Sequence, residues 1–130
     1  MAYSTAINQR FMQPHFAGDI SVDADHIGYM ATVGAQQQGV VLSVLVAVNL
    51  ATQQIDAAQF KVYGCGACIA VADLLCERLI GLSLKQVQSF NTQDLGAELD
   101  LPMVKMHCTW LAAEALEKMT TDWQLANPID

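Results

Sequence analysis

The sequence predicts an α+β fold in which a three-stranded antiparallel sheet is covered on one face by C-terminal helices, with a short N-terminal helix ahead of it. Three observations predict it. Valine-, leucine- and isoleucine-bearing runs with short polar links fill the stretch from Ile27 to Tyr63, and consecutive strands joined that tightly pair antiparallel. From Gly66 onward the apolar spacing changes to three- and four-residue steps, the period of a helix buried along one stripe. Strands first and helices afterwards put the helices together on one side of the sheet.

Each element has its own signal. Ser4 can cap a helix over residues 5–12, which Pro14 stops. Residues 14–25 carry Gly, Asp, Ser and Pro without apolar periodicity and read as a covering loop. Strands are expected at 27–33, 40–48 and 55–63, with 34–39 as a turn and 49–54 as a polar hairpin link. In the third, Phe60 and Val62 share one face and Lys61 and Tyr63 the other. Ile69, Ala72, Leu75, Cys76 and Leu79 then mark a helix that Gly81 ends. Ser83 can cap a second helix to about residue 90, and 92–99 forms another turn or two. Past Pro102, the residues Val104, Cys108, Leu111, Ala115 and Met119 mark one stripe of a final long helix.

The chain of 130 residues is expected to form one domain over 1–130, since no linker, repeat or low-complexity block divides it. Hydrophobic residues at 53% and charged ones at 15% supply ample core material. A net charge of -7 with only six Lys and Arg argues against nucleic acid as a partner, because phosphate binding needs clustered cations. The longest apolar run, 40–48, falls well short of the roughly 20 residues that span a bilayer, so no membrane partner is expected. Met1-Ala2-Tyr3-Ser4 lacks the basic and apolar regions of a secretory signal, which gives a cytoplasmic expectation. In that setting the four cysteines, at 65, 68, 76 and 108, are expected as thiols available to metal or sulfur chemistry rather than as two bridges.

Tyr63-Gly64-Cys65-Gly66-Ala67-Cys68 lies where the last strand gives way to a helix. Glycines on both sides of Cys65 let the chain turn tightly, and a thiolate beside a helix N-terminus is stabilised by free N–H groups and the helix dipole. The bland alternative is two small core cysteines at a turn. His107-Cys108 stands near the start of the last helix. Imidazole and thiolate suit zinc or iron, but neighbours on a helix project about 100° apart, so both reach one cavity only at a helix end. Alone, that pair would read as a surface histidine beside a buried cysteine. Cys76 falls on the apolar stripe and reads as core. His15 and His26 read as solvated, as do Asp94, Glu98 and Asp100. No nucleotide-binding loop, nucleophile elbow or zinc-protease motif is present, so no catalytic residue is assigned and the chain is not expected to be an enzyme.

Taken together, these residues resemble the IscU-type (NifU N-terminal domain) iron–sulfur cluster scaffold family. The resemblance runs nearly end to end, through Ala2-Tyr3-Ser4, Pro14, Gly18, Val33-Gly34-Ala35, the segment from Phe60 to Gly66, Leu101-Pro102, Val104-Lys105, His107-Cys108 and Leu111-Ala112. It implies a scaffold or carrier that binds iron, zinc or a 2Fe–2S cluster and receives sulfur from a cysteine desulfurase at Cys108. It also implies that an Hsp70-type chaperone and its co-chaperone are partners, gripping Leu101, Pro102, Met103, Val104 and Lys105. Cys65, His107 and Cys108 match the family's second cysteine, histidine and third cysteine. The first cysteine and the aspartate are replaced by Gln38 and Val40, neither of which is a useful ligand for iron or zinc. Cys68 is a further departure that could replace the lost thiolate, giving Cys65, Cys68, His107 and Cys108 as a Cys3His set, or could instead pack into the helix–sheet interface. Two alternatives stand beside the scaffold. One is a degenerate paralogue that only binds partners or regulates; the other is a thiol enzyme using Cys65 and Cys68 as a redox pair.

Overall fold

The computed structural model describes residues 3–126. Helix α1 spans Thr5–Met12 and begins as the sequence predicts, with the Ser4 side chain accepting the Ile7 N–H. The Ser4 hydroxyl also donates to the Leu99 carbonyl, which ties the start of the chain to the helical layer. Strands β1 (His26–Ala35), β2 (Val40–Asn49) and β3 (Ile55–Tyr63) form one antiparallel sheet in the order β1-β2-β3. Against expectation β1 is three residues longer, one at its start and two at its end, and β2 is one longer. A single 3-10 turn, Gln36–Gln38, makes the first link. Gly34 permits that link: its φ is +90°, and a Cβ there would lie 2.3 Å from the Val40 carbonyl oxygen.

Helices α2 (Gly66–Leu79), α3 (Leu84–Gln88), α4 (Gln93–Glu98) and α5 (His107–Ala126) follow. Ser83 caps α3 in a reciprocal capping box with Gln86. Helix α5 packs over β1 and α2 over β3, and α1 lies against α2. Their shared core gathers Val44, Val46 and Val48 from β2 with Leu75, Leu79, Met119 and Trp123. On α5 the buried stripe is Cys108, Thr109, Ala112, Ala115, Leu116, Met119, Thr120 and Trp123. Val104 is not part of it. That residue is exposed in a 3-10 turn, Met103–Lys105, because the helix proper starts only at His107.

Residues 14–25 do cover the sheet, and they are held from an unexpected place. Ala17 bridges Phe60 alongside β3, and Val22 packs over Gly28. The anchor is Asp73, an acid only 1% exposed on α2. Its carboxylate accepts the backbone N–H groups of His15 (2.7 Å) and Phe16 (2.9 Å) and a guanidinium N–H of Arg10 (2.9 Å). A buried carboxylate is tolerable only with such partners. His26 is not merely solvated either. Its ring lies between Asp23 (2.6 Å) and Asp56 (2.7 Å), because antiparallel register brings the start of β1 near the start of β3. Among the described residues, no helix is long and apolar enough to cross a membrane.

Candidate metal centre

The site forms where three elements end. Val41 pairs with Tyr63 across β2 and β3, so the chain leaves the sheet at Gly64 beside Val40. A Cβ on Gly64 would stand 3.1 Å from the Val40 Cγ2, and the small residue lets the turn press against the strand. Cys65 is the N-cap of α2 in an extended conformation, with no side-chain capping bond. Cys68 is the third residue of the helix, and its N–H donates to the Cys65 carbonyl at 3.1 Å. A helical side chain tilts back toward the N-terminus, so the Cys68 thiol returns toward Cys65. The two sulfurs lie 3.6 Å apart.

The first turn of α5 supplies the rest. His107 and Cys108 are its first two residues, the one place on a helix where adjacent side chains can serve one cavity. The Sγ atoms of Cys65, Cys68 and Cys108 all lie within 4.8 Å of one another. His107 Nε2 stands 3.8 Å from Cys108 Sγ, at the rim and outside that mutual cluster. Cys65 is partly exposed, whereas Cys68 (6%) and Cys108 (2%) are buried. Cys68 is therefore both packed and part of the cluster. Packing and ligation, posed as alternatives by the helix stripe, are compatible because its sulfur sits at the end of the helix.

Crowding three sulfurs shapes their ionisation. The Cys108 S–H hydrogen-bonds Cys68 and holds the Cys68 thiol well below the ordinary thiol range, with burial opposing and Cys65 assisting. The same contact, with burial, pushes Cys108 upward. The contact thus favours negative charge on Cys68 over Cys108. Two helix N-termini, of α2 and α5, meet at this cluster and favour that charge. Lys105 adds a cation; the charge on Cys65, followed by that on Tyr3, raises its pKa. Sequence reading gave Lys105 to a partner-binding loop and missed that it also borders the thiols.

The remaining sequence candidates separate clearly. Gln38 is exposed in its 3-10 turn, and Val40 is buried against Gly64, so neither side chain joins the sulfurs. Leu101 and Pro102 are half-buried, and Met103 is 88% exposed beside exposed Val104. Cys76 is fully buried in mid-helix, where burial and the Asp73 charge push its thiol upward.

A bound tetrahedral zinc with Zn–S bonds of about 2.3 Å needs sulfurs roughly 3.8 Å apart. In the cluster one pair stands at 3.6 Å and all three sulfurs lie within 4.8 Å, within about 1 Å of that spacing. Residues 2–128 match the family described as the NifU-like N terminal domain. The chain belongs to this family. It is 35% identical over 124 residues to the iron–sulfur cluster assembly scaffold protein IscU of Escherichia coli (strain K12), covering 95% of each chain. It is 29% identical over 126 residues to the mitochondrial iron sulfur cluster assembly protein 1 of Kluyveromyces lactis, covering 97% of this chain and 69% of that one. In fold it is similar to a crystal structure of an assembly scaffold of the SUF system from Fervidobacterium Islandicum AW-1, with a TM-score of 0.65 at 15% identity over 91% of this chain and 96% of that one. The N-terminal NifU-like protein of Brucella abortus gives a TM-score of 0.63 at 12% identity, over 89% of this chain and 90% of the other. Both the Escherichia coli and the Fervidobacterium relatives are described as iron–sulfur cluster assembly scaffolds. The fold is scaffold-like, and its cysteine cluster is compatible with iron–sulfur binding.

Proposed function

We propose that this chain is an iron–sulfur cluster assembly scaffold or carrier, a single domain over residues 1–130 that works in the cytoplasm. The observation that carries the reading is the cluster of Cys65, Cys68 and Cys108 with all sulfurs within 4.8 Å. Three thiolates and a nearby imidazole make a donor set suited to iron, zinc or a 2Fe–2S cluster. In this reading Cys65, Cys68 and Cys108 are ligands, and His107 closes the fourth position by swinging inward from beside Cys108. Cys68 stands in for the thiolate absent at Gln38, while no residue replaces the carboxylate absent at Val40. Cargo arrives as iron and as sulfur passed to Cys108 from a cysteine desulfurase. The exposed Met103 and Val104, flanked by Leu101, Pro102 and Lys105, form the grip for an Hsp70-type chaperone working with its co-chaperone.

A second reading has a specific observation behind it: Gln38 is turned to solvent and Val40 is sealed against Gly64. In that reading assembly has been lost, and the chain acts only as a partner-binding or regulatory module. Metal analysis with an absorbance spectrum of anaerobically purified chain separates the two. The scaffold reading expects iron or zinc in the parent and its loss in Cys65→Ala. Metal-free protein that also takes up neither ion when supplied would leave the second reading.

A further inference from the structure

The turn that joins β3 to α2 places two thiols where a bond between them needs almost no rearrangement. Cys65 and Cys68 sulfurs are 3.6 Å apart with no bond between them. Closing to the disulfide length of about 2.05 Å requires only side-chain rotation if the Cα atoms lie within about 4.4–6.8 Å. The hydrogen bond from the Cys68 N–H to the Cys65 carbonyl is that of a tight turn, whose ends approach to less than about 7 Å. We propose that Cys65 and Cys68 form a dithiol–disulfide couple that switches the metal centre off when oxidised and on when reduced.

The two sulfurs differ in the way such a couple needs. Cys65 is partly exposed and can be reached by a small disulfide such as oxidised glutathione. Cys68 is buried directly behind it and meets no outside reagent first. Oxidation therefore runs in two exchanges. The Cys65 thiolate attacks one sulfur of the small disulfide, forming a mixed disulfide and releasing one thiolate. The Cys68 thiolate then attacks the Cys65 sulfur, forming the Cys65–Cys68 bond and expelling the second small thiolate. Two electrons leave the protein and reduce the small disulfide to two thiols; each protein thiol gives up one proton. Cys108 is close enough to compete, but it sits on a different helix, whereas Cys68 shares the turn with Cys65. A short loop also closes at the smallest entropic cost.

The consequence for the metal centre follows from the donor count and rests on the scaffold reading above. Of the three clustered thiols, the disulfide consumes two and leaves Cys108 with His107 beside it. A bound metal would in turn hold both sulfurs and block the first exchange. Cys76, with its pKa raised and its sulfur sealed in mid-helix, takes no part.

The test uses the full metal-stripped chain equilibrated anaerobically in glutathione buffers of graded oxidised-to-reduced ratio, followed by acid quench, alkylation and peptide mapping. The expected product is the Cys65–Cys68 disulfide, with Cys76 and Cys108 remaining free. In Cys68→Ala, the glutathione adduct on Cys65 should persist. Zinc affinity, read against a chromophoric chelator, should fall at least about 100-fold on oxidation, beyond what loss of an outer partner costs, and return on reduction. A Cys65–Cys108 or Cys68–Cys108 product, or a persistent adduct on Cys65 in the parent, would overturn the couple. A Cys65–Cys68 disulfide with unchanged zinc affinity would overturn the switch. Reduced protein that binds zinc no better than Cys65→Ala would overturn the metal reading and the switch together, while the peptide map still judges the couple alone.

Discussion

The first turn and the middle of α2 carry the same residue types to opposite ends. At the first turn, Cys65 and Cys68 stand among helix N–H groups, a third thiol and the Lys105 cation. Two turns further on, Cys76 is sealed in the core beside the Asp73 carboxylate, and its thiol is pushed upward. The sulfur atom is chemically the same in each. What differs is whether the backbone and neighbours welcome negative charge. The comparison teaches that a helix can be structural along its length and reactive at its tip.

The largest expected effect breaks the structural half. Asp73→Ala leaves the Arg10 guanidinium and two backbone N–H groups without their acceptor. Removing one partner of a buried pair costs about 3–5 kcal/mol, so urea unfolding should show a loss of that size. A loss within about 0.5 kcal/mol, the range of ordinary surface substitutions, would mean that Asp73 does not anchor the N-terminal arm.

A smaller effect sharpens the contrast between the thiols. At neutral pH iodoacetamide should label Cys65 at least about tenfold faster than Cys76, because Cys65 is partly exposed whereas Cys76 is sealed in the core with its thiol pushed upward. Mass mapping over a time course reads the ratio directly. Equal rates would show that the tip and the interior of α2 do not differ as described.

The smallest effect lies outside α2 and shows what an exposed charge cluster contributes by comparison. Hydrogen bonds to Asp23 and then Asp56 raise the pKa of His26, and the same bonds lower those of Asp23 and Asp56. A raised histidine stabilises fully below its unfolded value of 6.5 and loses that contribution as pH rises through the folded value. The lowered carboxylates stabilise above 3.8 and lose it as pH falls through their folded values. His26→Gln should therefore lower Tm more at about pH 5.5 than at about pH 9. An equal or reversed difference would contradict the ion-pair assignment.

Much of this architecture was legible because its signals are local. The Ser4 cap, the Gly81 stop and the period change after Cys65 all act within a few residues. The bounds of β3 and α1 agree with expectation for that reason. Val104 misled because the step of four to Cys108 fits a helical stripe, while the chain after Pro102 first makes a 3-10 turn. Asp56 beside His26 depends on cross-strand register, which no local pattern encodes. Asp73 left a usable signal: an acid among Ala72, Leu74, Leu75 and Cys76 on a helix apolar nearly all round must find a cation or N–H partners. Of the candidate site, the approach of Cys65 to Cys108 was legible through the family resemblance. The direction of the Cys68 sulfur was not, because a stripe position says nothing of the helix end.

The central claim is that Cys65, Cys68 and Cys108 hold one metal ion together and that Cys76 does not. Zinc titration of the reduced, metal-free chain against a chromophoric chelator tests it most directly, run with each cysteine changed singly to alanine. The account predicts one zinc per chain and a loss of more than about 100-fold in affinity for Cys65→Ala, Cys68→Ala and Cys108→Ala. Cys76→Ala should bind as the parent does. A Cys68→Ala variant that binds as tightly as the parent, while the other two do not, would contradict the claim and return Cys68 to the core.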